Sequence, residues 1–374
     1  MKNKPVVFIV CTGVGHIRRG YESFTEECFA ALKDAQGFKM YLLKGGGKSE
    51  KQAFRIPCVQ RNTGLSKKIA TWMRTEAYFV EQFSFLLAMM PLVIWYRPSV
   101  IYYSDFKLGT WLWQLRRFFK FRYKLLFANG APNGPPFTRM DHVQQLLPLY
   151  IEQACAGGTA MEKQTLLPYA ININEEAIAA MFRNKVEWRK RLGLPAAMKV
   201  MISVGAVNSH HKRMDYVIRE FALLPASDFF LVLLGQTDAD SQGIINLANE
   251  LLPQHNFIIQ QVSSEQVRQY MCVADYFILA SLSEGLPRVL PEALSTGLFP
   301  IVHDYAVTRQ TLGSYGVYRD LQQNGQLVHA IAVVDHMGIK RAEFLNYAIK
   351  TYSWDTLLPQ YEKMIVQLIS NNEV

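Results

Sequence analysis

Short apolar segments alternate with helical segments along most of the chain, and this alternation constrains the fold more than any other feature of the sequence. Apolar runs too short for a helix predict strands buried on both faces, and the helices between them cover a parallel sheet. The predicted strands are Val6–Cys11 and residues 38–43, 100–103, 124–128 and 157–169 in the first half, and residues 200–204, 229–234, 257–260, 276–280 and 299–303 in the second. The sequence therefore predicts an α/β protein with two Rossmann-like domains.

A change of pattern near residue 172 predicts the boundary between the two domains. The segment 175–192 predicts a helix that ends at Gly193, and Pro195 follows it. A chain of 374 residues is long enough for two domains with a core each. We expect one domain over residues 1–172, a second over residues 173–354, and a deep cleft between them in which substrates meet.

Positive charge is concentrated in the first half. Through Gly157 the sequence has 22 Lys and Arg against 10 Asp and Glu, which gives +12. The remainder has 18 against 21, which gives −3, so the total is +9. The first half therefore favours an anionic partner or surface.

Cysteine usage and apolar run lengths bear on location. Five scattered cysteines without a C-x-x-C pair predict a reducing cytoplasm and no structural zinc. The run Val6–Cys11 is too short for a signal peptide. The segment 83–96 contains Pro91, which we expect to break it, and it is shorter than the roughly 20 residues of a spanning helix. No transmembrane segment is predicted.

The loop after the first predicted strand reads Thr12-Gly-Val-Gly-His-Ile-Arg-Arg-Gly20. Gly13 and Gly15 allow a ligand to approach the backbone closely. A dinucleotide fingerprint needs a third glycine where Arg18 stands and an acidic residue after strand two, where Lys44-Gly-Gly-Gly47 stands. The loop therefore favours a phosphate or a sugar, and a glycine turn with a packing role alone remains the alternative.

A basic aromatic segment, WLWQLRRFFKFRYK, begins at Trp111 and ends at Lys124. One interpretation is a helix whose aromatic rings face the core while its arginines reach into water. The other is a patch for the anionic headgroups of a membrane surface. No nucleic-acid module accompanies this segment, so we do not expect nucleic acid as a partner.

A loop rich in glycine and proline, residues 129–136, follows the predicted strand 124–128. Loops after parallel strands lie at the carboxyl edge of the sheet, where ligands bind in open α/β sheets. Asn129 and His142 are its candidate polar contacts. A histidine that is merely hydrogen-bonded at a helix start after Asp141 is the alternative for His142.

The stretch 281–304 contains the clearest chemical motif, with Glu284 and Glu292 around a Gly-Leu-Pro turn. We predict a strand, a turn, a helix whose first turn contains Pro287, and another strand. A helix start of this kind attracts anions.

These residues, in this order, resemble the retaining glycosyltransferases of the GT-B fold, a family that includes glycogen synthases and bacterial mannosyl- and glucosyltransferases. The resemblance covers roughly residues 160–374 strongly and the first half mainly in topology. Its carriers are the E-x7-E pair Glu284 and Glu292, Ser203-Val-Gly205 followed by Lys212, Leu233-Leu-Gly235, Leu166-Leu-Pro-Tyr-Ala170 and Tyr352-Ser-Trp354. The resemblance implies that the last helix, about residues 355–374, crosses back to the first domain.

The resemblance also implies a role for each matching residue of the second half. Glu284 would contact the transferred sugar, and Glu292 would accept hydrogen bonds from the nucleotide ribose. Lys212, after Gly205, would bind the diphosphate, as would the amides of Gly285 and Leu286. Gln261 and Val262 stand where the family often seats the base. The partner arginine of the family's basic pair is Ala206 here, and His211, Arg213 or Arg18 would have to compensate.

In the first half the carried-over roles are looser. Gly13, Gly15 and Arg18 correspond to the family's first glycine-rich loop, near the diphosphate and the acceptor. A histidine of many members that touches the donor sugar corresponds to Asn129 or to His142. The first domain would thus be the acceptor side and the second the nucleotide-sugar side.

The resemblance implies a retaining hexosyltransferase that moves a sugar from a UDP- or GDP-sugar to a sugar or lipid-linked acceptor without a required cofactor or metal. We expect it in bacterial cell-surface polysaccharide or glycolipid synthesis, in the cytoplasm or peripherally at the inner face of the membrane. Two alternatives remain open at this point: a sugar-nucleotide epimerase or phosphorylase of the same fold, and a non-catalytic protein that binds sugar nucleotides or membrane surfaces.

Overall fold

The computed structural model describes residues 4–17, 19–131, 133–237, 240–336 and 341–370, with the side chains of 335 and 336 left out. It divides into two compact units. Unit 1 comprises Met1–Ala170 together with Trp354–Val374, and unit 2 comprises Ile171–Ser353. Each unit is built on its own parallel sheet.

Unit 1 contains a seven-stranded sheet in the order β3-β2-β1-β4-β5-β6-β7, with every pair parallel. Its strands are β1 Val6–Cys11, β2 Lys39–Lys44, β3 Ala53–Arg55, β4 Val100–Tyr103, β5 Lys124–Ala128, β6 His142–Gln145 and β7 Gln164–Leu166. Its helices are α1 Gly20–Leu32, α2 Gly64–Trp72, α3 Ala77–Tyr96, α4 Phe106–Phe119, α5 Pro148–Ala156 and α15 Trp354–Ser370, with a 3-10 turn at Met161–Lys163.

The last helix of the chain completes the core of unit 1. α15 packs against α1 and β4. The ring of Tyr361 is fully buried, and its centroid lies 5.0 Å from that of Trp354. Phe24 of α1 stacks on Tyr169 at 3.9 Å between centroids. Burial of this aromatic cluster stabilises unit 1 across two segments that are far apart in the sequence.

Unit 2 contains a six-stranded parallel sheet in the order β10-β9-β8-β11-β12-β13. Its strands are β8 Lys199–Val204, β9 Phe229–Leu234, β10 Phe257–Gln260, β11 Tyr276–Leu279, β12 Phe299–His303 and β13 Val317–Arg319. Its helices are α6 Glu175–Arg183, α7 Lys185–Arg191, α8 Met214–Phe221, α9 Ser241–Leu251, α10 Ser264–Val273, α11 Val289–Ser295, α12 Ala306–Leu312, α13 Gln326–His336 and α14 Arg341–Tyr352, with a 3-10 turn at Gln254–Asn256. The predicted α/β class with two Rossmann-like sheets is confirmed.

The expectation that Pro91 breaks the apolar segment is wrong. α3 runs from Ala77 to Tyr96 with Pro91 inside it. Pro91 has no N–H to donate to the backbone carbonyl four residues earlier, but it lies on the exposed side of the helix, where water can solvate that carbonyl. Phe85, Met89 and Val93 hold the opposite side in the core. α3 is also long and apolar enough to cross a membrane, a property that core helices share.

Two smaller expectations also need correction. Residues 175–192 form two helices rather than one, because α6 ends at Arg183 and α7 begins at Lys185. His142 lies in strand β6 and not at a helix start.

Candidate active site

The loops that follow β8 and β11 bring Lys212 and Glu284 together. β8 and β11 are neighbouring parallel strands, so their carboxyl ends lie side by side. The Nζ of Lys212 donates to Oε1 of Glu284. The two side chains are only 15% and 10% exposed, so water screens their interaction weakly. The motif therefore presents a partly buried ion pair at the edge where ligands bind in such sheets.

Gly205 makes this arrangement possible because the stem of Lys212 crosses it. A Cβ on Gly205 would lie 2.7 Å from Cε of Lys212, and its φ of +152° is one that other residues rarely adopt. A Cβ on Gly235, after β9, would overlap the carbonyl oxygen of Gly205. The two glycines of the sequence motif thus let the loops after β8 and β9 pack backbone against backbone.

The loop between Gly205 and α8 is fixed by Asn208. Its Oδ1 accepts from the backbone N–H of His211 at 3.2 Å and of Lys212 at 3.4 Å. Nε2 of His211 lies 3.7 Å from Oε2 of Glu284, and the His211 side chain is 56% exposed. His211 is therefore close enough to add positive charge to the site when it is protonated.

Arg213 is engaged elsewhere in unit 2. Its Nη1 donates to the carbonyl of Leu321 at 2.7 Å, and its guanidinium lies 4.6 Å from the ring centroid of Tyr216. These contacts fix the arginine at the start of α8, where its φ is +50°. Arg213 consequently serves the packing of α8 in this structure.

Arg288 is a cation of the motif to which the sequence assigned no role. The residue is 6% exposed, and its Nη2 lies 4.0 Å from Oε1 of Glu292. Arg288 is also the N-cap of α11, so the helix begins at Val289 and Pro287 precedes it, contrary to the expected first turn. Its place between two glutamates was the available signal, but a charged residue at a helix start is usually on the surface.

The other predicted donor contacts lie at the same sheet edge. Gly285 and Leu286 form the turn between β11 and α11, and Leu286 is 7% exposed. Gln261 and Val262 follow β10, two strands away from β8. Gln261 is exposed, while Val262 packs partly against the core. These four residues share an edge, and Gln261 and Val262 lie apart from the ion pair.

In unit 1 the first glycine loop is closely packed. A Cβ on Gly13 would overlap the carboxylate of Glu22, and one on Gly15, whose φ is +91°, would overlap the backbone of Gly46. Burial raises the pKa of Glu22. Packing thus accounts for both glycines, and Arg18 lies outside the described residues.

Beside this loop lies a buried ionic cluster that the sequence did not indicate. Nε2 of His16 is 2.7 Å from Oε1 of Glu81, a fully buried carboxylate that also accepts from Nε of Arg61. Nη2 of Arg61 donates to Thr12 at 3.2 Å. Periodicity could not reveal the cluster, because Glu81 is the only charged residue of a largely apolar helix.

The structure does not bring Asn129 and His142 together. Asn129 follows the carboxyl end of β5 and donates from Nδ2 to Oε1 of Gln145 at 2.9 Å. His142 begins β6, pairs in register with Leu126 and lies 2.8 Å from the hydroxyl of Thr165. Burial lowers the pKa of His142. Asn129 is therefore at the ligand edge of the sheet, and His142 lies farther down the strands.

The residues that the structure describes contain no group of three or more His, Cys, Asp or Glu side chains that could hold a metal ion.

The sequence of unit 2 matches a known protein family. Residues 184–351 match the family model described as glycosyl transferases group 1. The α-galactosylglucosyldiacylglycerol synthase of Streptococcus pneumoniae is 30% identical over 164 residues, which are 42% of this chain and 42% of that protein. The glycogen synthase of Clostridium perfringens is 24% identical over 215 residues, which are 54% of this chain and 44% of that protein. The matches thus span less than half the length of these relatives.

Comparison with solved structures covers both units. The sucrose-phosphate synthase of Thermosynechococcus elongatus superimposes with a TM-score of 0.79 at 16% identity, over 98% of this chain and 100% of that chain. HepE of Anabaena, solved in complex with UDP and glucose, gives 0.73 at 12% identity, over 97% and 100%. At such identities the likeness concerns the fold alone. The resemblance to the GT-B glycosyltransferases is thereby confirmed, in fold for the whole chain and in sequence for residues 184–351.

Proposed function

We propose that this protein is a glycosyltransferase that moves a hexose from a nucleotide-sugar donor to an acceptor hydroxyl with retention of the anomeric configuration. The observation that carries the proposal is the partly buried ion pair of Lys212 and Glu284, at adjacent strand ends within the segment that matches the family model. Unit 2 would hold the donor, and unit 1 the acceptor.

The chemistry requires stabilisation of a leaving diphosphate. Negative charge grows on the diphosphate as the glycosidic bond to the sugar breaks, and preorganised cations lower the free energy of that state. Lys212, held by Glu284, is a fixed cation at the sheet edge. The N–H groups of Gly285 and Leu286 would add hydrogen bonds to the same oxygens.

Arg288 offers the second positive charge that Ala206 cannot supply. Its guanidinium lies beside Glu292 at the start of α11, within the same motif. We propose that the carboxylate of Glu292 accepts hydrogen bonds from the ribose hydroxyls. Arg288 would orient that carboxylate and add positive charge near the diphosphate. Gln261 and Val262, on the loop after β10, would contact the base.

The donor is proposed to be a UDP- or GDP-sugar, and the HepE complex with UDP and glucose has the same fold. Positive charge from Lys212 and Arg288 would replace a divalent ion at the diphosphate. We expect EDTA to leave the transfer rate unchanged, and a rate that falls with EDTA and returns with Mg²⁺ would contradict this part.

Retention is proposed to follow a front-face route. In this route the leaving phosphate accepts the proton of the acceptor hydroxyl, so the protein need not provide a covalent nucleophile. Glu284 would hold the sugar while the acceptor approaches from the side of the leaving group. The anomeric configuration of the product, read from its ¹H NMR coupling constant, tests this step, since an inverted product excludes it.

A thermal-shift panel of UDP-, GDP-, ADP- and dTDP-sugars tests the donor. A real donor at about 100 times its dissociation constant should stabilise unit 2 by about 2.7 kcal/mol. A flat response to all four would overturn the function. Isomerisation of the donor without an acceptor would instead indicate an epimerase.

Acceptor class and location follow from the same proposal. We propose that the acceptor is a saccharide or a lipid-linked saccharide of bacterial cell-surface polysaccharide or glycolipid synthesis. The enzyme would work in the cytoplasm, peripherally at the inner face of the membrane.

A further inference from the structure

The outward side of α3 is an unbroken apolar stripe. Phe83, Leu87, Ile94 and Trp95 are exposed by 45%, 56%, 59% and 83%, and Pro91 lies among them. These positions follow one another at helical spacing and so form one face. A helix of a soluble domain normally presents charged or polar residues on this side.

The opposite side of α3 belongs to the core of unit 1. Phe85, Leu86, Met89 and Val93 are at most 2% exposed. Glu81, the only charged residue of α3, is fully buried in its ionic cluster with His16 and Arg61. α3 therefore cannot leave the unit to span a bilayer without exposing the core and this carboxylate.

The neighbouring helices also present large apolar side chains to solvent. α3 packs against α2 and α4. Trp72, at the end of α2, is 82% exposed, and Phe118, near the end of α4, is 80% exposed. The ring of Phe83 contacts that of Trp111 edge to face at 5.5 Å, which joins α3 to α4. Large exposed apolar patches of this kind mark interaction sites.

The segment 111–124 contributes only its end to this surface. Trp111 and Trp113 are half-buried, and Trp113 lies under the guanidinium groups of Arg117 and Arg139. Phe118 and Phe119 are exposed. We define the α3 face as Leu65, Trp72, Met73, Phe83, Leu87, Pro91, Ile94, Trp95, Phe118 and Phe119.

The exposed charges on α2, α3, α4 and the segments that connect them are almost all positive. Between residues 64 and 124, which the structure describes in full, eight exposed side chains are cationic and one, Glu76, is acidic. The cations are Lys67, Lys68, Arg74, Arg97, Lys107, Arg117, Lys120 and Arg122. An apolar face with exposed tryptophans, on helices whose exposed charges are almost all cationic, complements an anionic lipid surface.

We propose that the α3 face is a membrane-docking surface, on which α3 lies parallel to the plane of a bilayer that contains anionic lipid. Trp72, Trp95 and Phe118 enter the boundary between headgroups and acyl chains, and the surrounding lysines and arginines contact the headgroups. The proposal rests on unit 1 and holds whichever reaction unit 2 performs.

The experiment is flotation of the full chain with vesicles of phosphatidylglycerol and phosphatidylcholine in equal parts. The double variant W72S/W95S should lose roughly tenfold or more of the vesicle partition coefficient, because two amphipathic rings no longer enter the interface. The matched control is V186S/L223S, which removes exposed apolar side chains of unit 2 (66% and 61% exposed) and should float like wild type. Equal flotation of both variants would overturn the proposal.

Charge is tested separately from apolar contact. K67Q/K68Q should reduce partitioning several-fold at low salt, and pure phosphatidylcholine vesicles should capture much less wild-type protein. Equal partitioning into charged and uncharged vesicles would overturn the proposed contact of the lysines and arginines with anionic headgroups.

Self-association is the competing occupant of the α3 face. Light scattering without vesicles should give the mass of one chain for wild type and for W72S/W95S. A wild-type dimer that W72S/W95S dissociates would assign the face to a second copy and overturn membrane docking. Thermal midpoints of the variants within about 2 °C of wild type would show that fold is retained, since these side chains are exposed.

Discussion

Lys212 and Glu284 hold each other in place, so the removal of either changes the net charge of the site and the position of the other side chain. Lys212→Ala leaves the Glu284 carboxylate, which is 10% exposed, without that cation and places negative charge where the diphosphate should bind. We expect kcat to fall by roughly 10² to 10³, as when an oxyanion donor is removed.

The same residue scale provides a control for Lys212→Ala. Glu187→Gln removes an exposed ion pair with Arg191 in α7, with both side chains more than half exposed, and should leave donor affinity and rate unchanged. A Lys212→Ala enzyme with wild-type kcat and donor Kd would show that the pair is structural.

Asp275 makes unit 2 sensitive to acid. Its Oδ1 lies 2.6 Å from Nζ of Lys185, and its Oδ2 accepts from Arg189 at 2.5 Å and from the N–H of Val200 at 2.7 Å. Burial alone would raise the pKa of Asp275, but these three donors hold it below its ordinary value. Stability from this group is therefore present above the pKa of the unfolded chain and is lost as pH falls through the folded value.

Urea unfolding at several pH values tests the contribution of Asp275. Asp275→Asn should lower the free energy of unfolding of unit 2 at pH 7 by on the order of 2 kcal/mol. It should also make the fall of that free energy below about pH 4 less steep than in the wild type. Asp304→Asn is the control, because the pKa of Asp304 is also lowered, through its bond to Arg309, but the pair is exposed. Equal effects of both substitutions would contradict this account.

Part of the site could be predicted from its residues, and part could not. Lys212 and Glu284 follow apolar strands, and the carboxyl ends of parallel strands share an edge, so their proximity follows from the pattern. Arg288 escaped because nothing in a sequence distinguishes a buried arginine from a surface one. The ionic cluster around Glu81 was not predicted because its members come from three separate segments: the loop with Thr12 and His16, the segment with Arg61, and α3 with Glu81 itself.

At the scale of elements, the loops after β8 and β9 depend on glycine at their contact. Gly235→Ala would drive a Cβ into the carbonyl of Gly205 and displace the loop that carries Lys212. We expect a loss of about 2 to 3 kcal/mol in the stability of unit 2 and weaker donor binding.

Gly243→Ala in α9 is the matched control for Gly235→Ala. Apart from its chain neighbours and the nearby backbone of α9 itself, no atom lies within 4 Å of a Cβ at Gly243, so alanine should be neutral or stabilise the helix by about 0.5 to 1 kcal/mol. Chemical unfolding and donor titration of both variants provide the measurement. A Gly235→Ala protein that binds donor like wild type would contradict the importance of this loop contact.

The helix α15 is tied to unit 1 by the hydroxyl of Tyr361. It accepts from Nε2 of Gln144 at 2.9 Å and donates to the carbonyl of Pro168 at 2.7 Å. Tyr361→Phe would leave that partly buried carbonyl without this donor, and we expect a loss of about 1 to 3 kcal/mol from the stability of unit 1. An unchanged urea midpoint for unit 1 would show that water replaces the hydroxyl.

Elements differed in how well the sequence predicted them. Strands at the centre of each sheet, such as β1 and β9, are continuous apolar runs because both faces are buried, and they were predicted. Edge strands β3 and β13 have three residues each and too little pattern to be recognised. α3 was misjudged because tertiary packing on Phe85 and Val93 outweighs the helix-breaking tendency of Pro91.

At the scale of the whole molecule, the two units have separate cores and should unfold separately. Scanning calorimetry should show two transitions. A UDP- or GDP-sugar should raise the midpoint temperature of the unit 2 transition alone, because Lys212, Arg288 and Glu292 all belong to unit 2. Tyr361→Phe should lower only the transition of unit 1. If the donor instead raises the midpoint temperature of the transition that Tyr361→Phe lowers, the nucleotide binds to unit 1.

The position of α15 in the chain has a consequence for biosynthesis. Unit 2 ends at Ser353, whereas unit 1 requires residues from Trp354 onward, among them the buried Trp354, Tyr361 and Ile365. Domains usually fold in the order in which the ribosome makes them. Unit 1 begins first in the chain, but its core cannot be completed until α15 has been synthesised. Unit 2 therefore completes its fold on the ribosome before unit 1 does.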